Sequence, residues 1–546
     1  MNNRFDLINS TIESIPNIKI ISPLRNDYGN ILGRVLLLHA GVELEFDVEI
    51  KPPYPLQFHE TESIRFLNSE LIEYDHVNRD GSICIHTYHC PEITQKLLLD
   101  FNSLKEWVDN YFLSTNQDNH YEHIIVNEDQ YETLSTYLFT EVNHNFSKDS
   151  FGYFAFSHQA SGSEGKGERH TFLVHSFLVG KTPYQCSWSK VYNEQRDFQQ
   201  GVYVYIENPP VKHRRFAVEM WSELGQFISQ EFFKFLYDLK RSFVFEKKGI
   251  KKFPLFIGYK IPTGETHWQC VIIDTNNFPN ESVKLGNGYG GQFKEMPISW
   301  SSTKNCSYKY FFGRGKFSDK ITEKKILIIG VGAIGSIVAT TLTRGGCKFI
   351  SLADYDVKEP ENVCRSEYTF HTGITNKVDD LGLRLAKISP FIEVIPNHLM
   401  MDGIKYFIND TNSKESIKQH AEEFDIIIDC TTDDDVAYIL DSLDLKSEIV
   451  SLSITNNANE LLCSVNPNLY SWLMNRGSFI PERNEPLHQP TGCWNPTFKA
   501  SYNDINSLVQ FALKHINLII DSGKQLRHFY LSTETENGYN IKMHQF

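Results

Sequence analysis

A glycine-spaced turn between a buried strand and a helix constrains this chain more than any other feature. Gly330-Val331-Gly332-Ala333-Ile334-Gly335 follows the apolar run Lys325–Ile329 and opens a helical segment, Ala333–Arg344. A strand that feeds a helix in this way belongs to a parallel sheet, because parallel strands need a crossover connection. The next strand, Phe349–Ala353, ends in Asp354 and Asp356, about 20 residues beyond the loop. The glycines let backbone N–H groups approach phosphates at the helix N-terminus, and Asp354 or Asp356 stands where a carboxylate holds ribose hydroxyls. Taken alone, the loop suits an NAD-dependent dehydrogenase as well as an ATP-using enzyme.

The residues that follow separate the two. Asn362-Val363-Cys364-Arg365 comes soon after the Asp-x-Asp, Lys377 lies in Gly373-Ile374-Thr375-Asn376-Lys377, and the strand Asp425–Ile428 runs into Asp429-Cys430-Thr431-Thr432-Asp433. Hydride transfer has no use for such cations, because the phosphates of NAD are spectators. Acyl adenylation does, because negative charge builds on the α-phosphate as a carboxylate attacks it. Arg365 and Lys377 suit that charge, and Asp433 suits Mg²⁺. Singly, each is an ordinary surface charge; as an ordered set at strand ends they point to phosphate chemistry.

This set resembles the ThiF-type and ubiquitin-activating adenylating domains, over roughly Lys325 to Asn456. The resemblance implies ATP as the nucleotide, Asp354 at the ribose, Asn362, Arg365 and Lys377 at the phosphates, and Asp433 at the metal. It also implies a homodimer joined through these domains. One departure is an extra residue in Cys430-Thr431-Thr432-Asp433-Asp434, which leaves Asp433 and Asp434 as alternatives. The paired Cys-x-x-Cys motifs of some relatives are absent, so no structural zinc is expected there.

Composition narrows the surroundings. A chain of 546 residues suggests about three or four domains. A net charge of −15 argues against a nucleic-acid surface, which needs concentrated Lys and Arg. The N-terminus lacks a signal-peptide core, no apolar run approaches the roughly 18 residues of a membrane span, and the ten cysteines are scattered. A reducing, cytoplasmic setting is expected.

The first part of the chain carries a second chemistry. Val42, Leu44, Phe46, Val48 and Ile50 alternate with Glu43, Glu45, Asp47 and Glu49, which predicts a strand with one buried face. Ile31–Leu38 reads as its hairpin partner across Ala40-Gly41. Pro52-Pro53-Tyr54-Pro55 stops the meander, and Ser103–Phe112 reads as a closing helix. After the corner comes His76-Val77-Asn78-Arg79-Asp80-Gly81-Ser82-Ile83-Cys84. Over about residues 1–115 this resembles the ubiquitin-conjugating enzymes, which carry a His-Pro-Asn segment before a Gly-x-Ile-Cys nucleophile. The resemblance implies that Cys84 carries a thioester and that Asn78 stabilises the oxyanion when an amine attacks. Val77 replaces the proline, and the His-to-Cys spacing is shorter than usual. Cys84, His86, His89 and Cys90 are too cramped for a common structural zinc site.

Between these regions, about residues 118–318, the sequence predicts strands at Phe172–Val179, Val202–Ile206, Leu255–Ile261 and Trp268–Ile273. A single apolar helical stripe runs from Trp221 to Leu239, and Ser161–Gly167 and Gly286–Gly291 read as mobile loops. No catalytic constellation stands out here. Toward the C-terminus, Cys493 lies in Pro490-Thr491-Gly492-Cys493-Trp494-Asn495-Pro496, ahead of a helix starting near Asn503. Such a loop suits a cysteine that captures an acyl-adenylate.

The expected architecture is an α/β multidomain chain. It comprises an α+β ubiquitin-conjugating-like domain (1–115), a β-rich α+β linker domain (118–318) and a Rossmann-like ThiF-type adenylating domain (319–546). That arrangement resembles the fused activating–conjugating enzymes of bacterial antiphage CBASS operons. The resemblance implies a protein substrate with a free C-terminus, a cGAS-like nucleotidyltransferase, and an amine-bearing target protein. Neither nucleic acid nor membrane is expected as a partner.

Overall fold

The computed structural model describes residues 2–58, 61–114, 124–126, 131–164, 167–194, 197–242, 249–285, 288–398, 400, 405, 410–480, 488–490, 496–536 and 538–546. The chain divides into two units, the first of residues 1–138, 144–184 and 199–304, the second of residues 139–143, 185–198 and 305–546.

The first unit begins with helix α1 (Asn2–Ser14) and an antiparallel meander of β1 (Ile18–Asp27), β2 (Asn30–His39), β3 (Val42–Ile50) and β4 (Ile64–Leu67). Phe46, Val48 and Ile50 are buried while Glu43, Glu45 and Asp47 face outward, as their alternation predicts. His39 pairs with Val42, and both residues of the connecting turn take positive φ: Ala40 at 50° and Gly41 at 84°. That is the mirror-image turn whose twist matches paired strands. Helix α2 (Ile93–Trp107) begins well before the expected Ser103 and runs on into a π-helical turn at Val108–Phe112. Its first half hid in the sequence because buried charges, Lys96 and Asp100, interrupt the apolar stripe of Leu97, Phe101 and Leu104.

The rest of this unit is a barrel. Strands β5 (Tyr131–Phe139), β6 (Phe151–Glu164), β7 (Gly167–Val179), β8 (Thr182–Gln185) and β9 (Gln199–Glu207) precede the short pair β10 (Val211–Lys212) and β11 (Phe216–Ala217). After helix α3 (Gln230–Ser242) come β12 (Lys252–Lys260), β13 (Thr266–Asp274), the hairpin β14 (Asn280–Leu285) and β15 (Gly288–Phe293), and β16 (Trp300–Asn305). The sheet order is β5-β16-β13-β12-β9-β6-β7-β8, and β5 also pairs with β7, so seven strands close on themselves. Both faces of the wall are buried. Tyr203 and Trp268 pack on Phe177, Phe256 on Phe154 and Tyr205 on Trp268, while Val202, Val204, Leu255 and Ile257 share a core with Phe232 and Leu236 of α3. This explains why these strands read as continuous apolar runs.

Two expectations fail here. The stripe from Trp221 to Leu239 is not one helix: it is a single turn at Trp221–Leu224, a 3-10 turn at Gly225–Phe227, an extended Ile228, and then α3. The described parts of the glycine-rich stretches lie in strands, not loops. Ser161–Glu164 belongs to β6, and Gly290 and Gly291 lie in β15, where a Cβ at Gly291 would sit 2.4 Å from Phe233 Cβ. Glycine there permits close approach to α3.

The second unit is built on β17 (Lys325–Ile329), β18 (Phe349–Ala353), β19 (Glu393–Asn397), β20 (Ile426–Asp429), β21 (Glu448–Thr455) and β22 (Glu460–Val465). After the small pair β23 (His488–Pro490) and β24 (Pro496–Phe498), strands β25 (Phe529–Glu534) and β26 (Asn540–Gln545) complete the sheet. Its longer described helices are α4 (Ala333–Arg344), α5 (Lys377–Ile388), α6 (Thr411–Ala421), α7 (Asp434–Ser442) and α8 (Tyr502–Asp521). The order is β19-β18-β17-β20-β21-β22-β25-β26, parallel from β19 to β21 and antiparallel beyond. Counting the parallel strands from β17, this is the 3-2-1-4-5 order of a doubly wound sheet, and it reverses direction between β17 and β20. A crevice opens at such a reversal, because the crossover helices on either side lie on opposite faces. Among the described residues no helix is long and apolar enough to cross a membrane.

Candidate functional site

The crevice is where the glycine loop lies. Gly330 leaves β17 with φ of 79°, and a Cβ there would meet Thr431 Cγ2 at 2.8 Å, so glycine lets the ends of β17 and β20 touch. Gly335, in the first turn of α4, would place a Cβ 2.0 Å from the Gly330 carbonyl oxygen. Gly332 differs: a Cβ there would have nothing within 4 Å. Gly330 and Gly335 are thus needed to build the loop, while Gly332 leaves its outer side open to a ligand at the N-terminus of α4.

Asp354, at the end of β18, buttresses this loop. One carboxylate oxygen accepts the Val331 N–H at 2.8 Å and the other the Asp356 N–H at 2.9 Å. Burial pushes the Asp354 carboxyl above the ordinary value, and these N–H groups and the Lys377 charge offset only part of that. Asp356 is more exposed and is ion-paired with the Lys377 ammonium. The two meet because Val357 bridges to Asn376 and the Lys358 N–H bonds the Thr375 carbonyl, laying the two segments side by side. Asn362 and Arg365 belong to the 3-10 turn Pro360–Arg365. The Asn362 side-chain oxygen accepts the Glu359 N–H at 2.9 Å, so its amide nitrogen is what it can offer a phosphate. Arg365 is half-buried in that turn.

The extra residue after β20 is absorbed at Thr432, which takes a φ of 58°, rare for a β-branched residue. Asp433 thereby becomes the N-cap of α7, accepting the Asp435 N–H at 2.9 Å, and pairs with Lys405. Burial raises the Asp433 carboxyl, but Lys405 and backbone N–H groups outweigh it and hold the group below the usual carboxylate range. Asp434 points elsewhere, into a two-pronged pair with Arg476 at 3.0 and 3.1 Å. Asp429 is buried and spent on Thr431 and Ser451, and burial pushes the neighbouring Cys430 thiol up. Cys493 lies outside the described residues.

Sequence reasoning missed Lys405, an isolated lysine between Ile404 and Tyr406 in a mostly apolar stretch. It also missed Tyr368, whose hydroxyl donates to the Val331 carbonyl at 2.6 Å and so props the glycine loop from beneath. Neither gives a local signal, since both act across long sequence separations.

The first unit holds the second centre. Cys84 is tied by its N–H to the His76 carbonyl at 2.8 Å, and Val77 bridges to Ile83, so the segment folds back on itself. The Cys84 thiol donates to Asn78 Oδ1 at 3.4 Å, while Asn78 Nδ2 donates to Ser82 Oγ at 3.0 Å. Gly81, at φ of 81°, would set a Cβ 2.7 Å from Ser69 N, which makes this tight turn dependent on glycine. Asp80 braces it, accepting from Ser82 and Arg65. Burial raises its carboxyl, yet those contacts hold it below the ordinary value. Cys84 lines a groove of about 1010 Å³ together with Asn78, Arg65, Glu62 and Val126.

A buried charge cluster, unforeseen from sequence, anchors the segment beyond Cys84. Lys96, 2% exposed, donates to Glu62 at 2.6 Å and Asp100 at 2.9 Å, and the Thr87 N–H bonds Glu62 at 3.2 Å. Tyr54, from the proline corner, donates to Asp100 at 2.8 Å.

Comparison with known proteins places the class of the second unit first. Residues 308–453 match the model of the ThiF family, so the chain carries a Rossmann-like ThiF-type region. Among individual proteins, the chain is 28% identical over 245 residues to the ATP-dependent ubiquitin transferase-like protein Cap2 of Enterobacter hormaechei subsp. hoffmannii, covering 43% of this chain and 39% of that protein. It is 33% identical over 115 residues to ubiquitin-like modifier-activating enzyme 5 of Bombyx mori, covering 20% of this chain and 28% of the relative. The match spans about two fifths of Cap2, and less of the silkworm enzyme. Among solved structures, Escherichia coli MccB with ATP aligns over 42% of this chain and 64% of that one, at 17% identity and a TM-score of 0.30.

Proposed function

We propose that the chain is an ATP-dependent enzyme that activates a protein's C-terminal carboxylate as an acyl-adenylate and passes the acyl group through cysteines to an amine. One observation carries the reading: around a glycine loop with an open outer side, the ends of three neighbouring parallel strands present the buttressing Asp354, the Asp356–Lys377 pair and Asp433. A carboxylate oxygen attacks the α-phosphorus of ATP, forming the P–O bond of the adenylate and expelling pyrophosphate. Lys377 would exchange its Asp356 partner for phosphate oxygens, joined by Arg365 and the Asn362 amide, while Asp354 or Asp356 takes ribose hydroxyls. Mg²⁺, when bound, neutralises phosphate charge. Asp433, held ionised and turned away from Arg476, would hold it in preference to Asp434.

Cys493 then displaces AMP to form a thioester, Cys84 exchanges for it, and an amine attacks, forming an amide and releasing the Cys84 thiolate. The helix, four-stranded meander and helix around Cys84 support a ubiquitin-conjugating-like role for that domain. The Asn78 amide, 3.4 Å from the sulfur through its oxygen, would turn its N–H toward the oxyanion. By resemblance to the fused CBASS enzymes and the relation to Cap2, the substrate is the C-terminus of a cGAS-like nucleotidyltransferase, and the working form is a homodimer. The relation to modifier-activating enzyme 5 favours a second reading, activation of a ubiquitin-like protein.

ATP–pyrophosphate exchange driven by the substrate C-terminus tests the first step. Arg365→Ala or Asp433→Ala should each cost at least tenfold, about 1.4 kcal/mol of transition-state stabilisation. Cys493→Ala should leave exchange intact. In a Cys84→Ala protein a reductant-sensitive adduct should build up on Cys493. An adduct on Cys84 in the Cys493→Ala protein would mean direct transfer from the adenylate and overturn the order of steps.

A further inference from the structure

The loop that carries Asn78 is held from outside its own domain. Between β10 and β11 the chain reads Lys212-His213-Arg214-Arg215, a basic run in an acidic protein. His213 and Arg214 take positive φ, 47° and 68°, forming a tight hairpin turn. That turn delivers Arg215, 2% exposed, into a ring of main-chain oxygens. Its Nη2 donates to the carbonyls of Ile72, Tyr74 and Val77 at 3.0, 2.7 and 2.5 Å. Outside this buried contact lies a polar rim. His213 meets Glu73 at 2.6 Å, Arg214 donates to the Glu73 carbonyl at 3.2 Å, and Arg79 pairs with Glu219.

The three carbonyls sit immediately upstream of the Cys84 centre. Val77 precedes Asn78 and bridges to Ile83, and the neighbouring His76 carbonyl receives the Cys84 N–H. Three carbonyl dipoles turned toward one point repel each other, and a cation at that point reverses the sign of the interaction. Buried away from water, such charge-assisted bonds are strong and directional.

We propose that Arg215 is a positioning residue for the Cys84 centre: by gathering the carbonyls of Ile72, Tyr74 and Val77 it fixes Asn78 against the Cys84 sulfur, so that the barrel domain is a working part of the acyl-transfer site. The proposal rests on the conjugating role of Cys84 given above. It predicts a split between two chemical steps. Taking up an acyl group needs only an accessible thiolate, whereas discharge to an amine needs the Asn78 amide in register with the oxyanion.

The test uses the full chain and a synthetic thiophenyl thioester of N-acetyl-glycylglycine. The Cys84 thiolate attacks its carbonyl and thiophenolate leaves; free lysine then attacks the enzyme thioester, giving an amide, a cysteine thiolate and a proton released to solvent. Adducts are located by mass spectrometry, with the exposed Cys364 as internal reference. In Arg215→Ala, Cys84 should load within about twofold of wild type, while discharge to lysine slows at least tenfold. Arg215→Lys, which keeps the charge but not the planar fork, should fall between. Wild-type discharge in Arg215→Ala, or equal loss of loading and discharge in a folded protein, overturns the proposal. If Arg215→Ala does not fold, Glu73→Ala and His213→Ala loosen the same contact from its exposed rim and should slow discharge selectively; unchanged discharge in both overturns it. Iodoacetamide alkylation of Cys84 relative to Cys364 separates the two readings, because it needs no acyl chemistry. A wild-type Cys84 adduct discharged no faster than one on Cys364 refutes the conjugating role; Cys84 alkylation should stay within about twofold of wild type in Arg215→Ala, and a fall in alkylation as large as the fall in discharge refutes the positioning role.

Discussion

Two alanine substitutions three positions apart in the same loop, at Gly332 and Gly335, should fail for different reasons, and comparing them tests the nucleotide site. At Gly335 a Cβ would stand 2.0 Å from the Gly330 oxygen, and ordinary contact begins near 3.4 Å, so that carbonyl would have to retreat by about 1.4 Å. It belongs to the backbone that joins β17 to α4 and cannot rotate aside. Overpacking of this kind costs about 1–3 kcal/mol. At about 2–4 °C per kcal/mol for a domain of this size, Gly335→Ala should lower the melting temperature of the second unit by about 2–12 °C. Gly332→Ala meets nothing within 4 Å. Its cost as a helix cap, at most about 1 kcal/mol, is offset in part by the less flexible unfolded chain. ATP with Mg²⁺ at about 100 times its Kd should stabilise the wild-type unit by about 2.7 kcal/mol, a rise of roughly 5–11 °C. Differential scanning fluorimetry with and without nucleotide reads all of this. Gly332→Ala should melt like wild type without ATP and lose the ATP-induced rise, since its methyl occupies the approach to the phosphates. If it kept the full rise, phosphates would not sit on this loop. If Gly335→Ala melted like wild type, the packing argument would be wrong.

Lys96→Met removes the cation between Glu62 and Asp100 and should destabilise the region around α2 by about 3–5 kcal/mol, read from hydrogen exchange of its amides; unchanged exchange would show the cluster to be dispensable. Because Asp80 is held below its unfolded value, its contribution is complete above the ordinary carboxylate range and is lost as pH falls through the folded value. The melting temperature should therefore fall more steeply below about pH 4 in wild type than in Asp80→Asn, and parallel curves would refute this. Light scattering at micromolar concentration should give a dimer, and the monomer mass of 63.1 kDa would sink that expectation.

Much of the framework was legible because local pattern and tertiary role agree. The alternation in β3 and the passage from Lys325–Ile329 through glycines into Ala333–Arg344 each demand one conformation, and the chain adopts it. Where a residue serves a distant partner, local pattern misleads. Lys96 and Asp100 look like surface charges, yet Lys96 is buried between Asp100 and Glu62 and pairs with both. Gly291 looks like loop punctuation, yet it makes room for Phe233. The stripe from Trp221 to Leu239 has helical spacing on both sides of Ile228, yet Ile228 itself is extended, and the residues on either side of it share one core with the barrel wall. The candidate phosphate residues could be named from their order, but not their pairings. Nothing near Asp356 announces that Lys377 comes to it, and nothing near Asp433 announces Lys405. Arg215 carried a signal that went unread, a cluster of positive charge in a chain of net −15.

The reversal of strand order between β17 and β20 also has a consequence for how the protein is made. Gly330 packs on Thr431, a residue that leaves the ribosome 101 positions later. At about 5–20 residues per second, the glycine loop waits roughly 5–20 s for the strand that completes its wall. During that interval β17 and β18 can pair, but β17 shows an open edge where β20 will lie. A nascent chain stalled before residue 426 would hold half a nucleotide crevice and a sticky strand, which makes codon usage between α4 and β20 a handle on the yield of active protein.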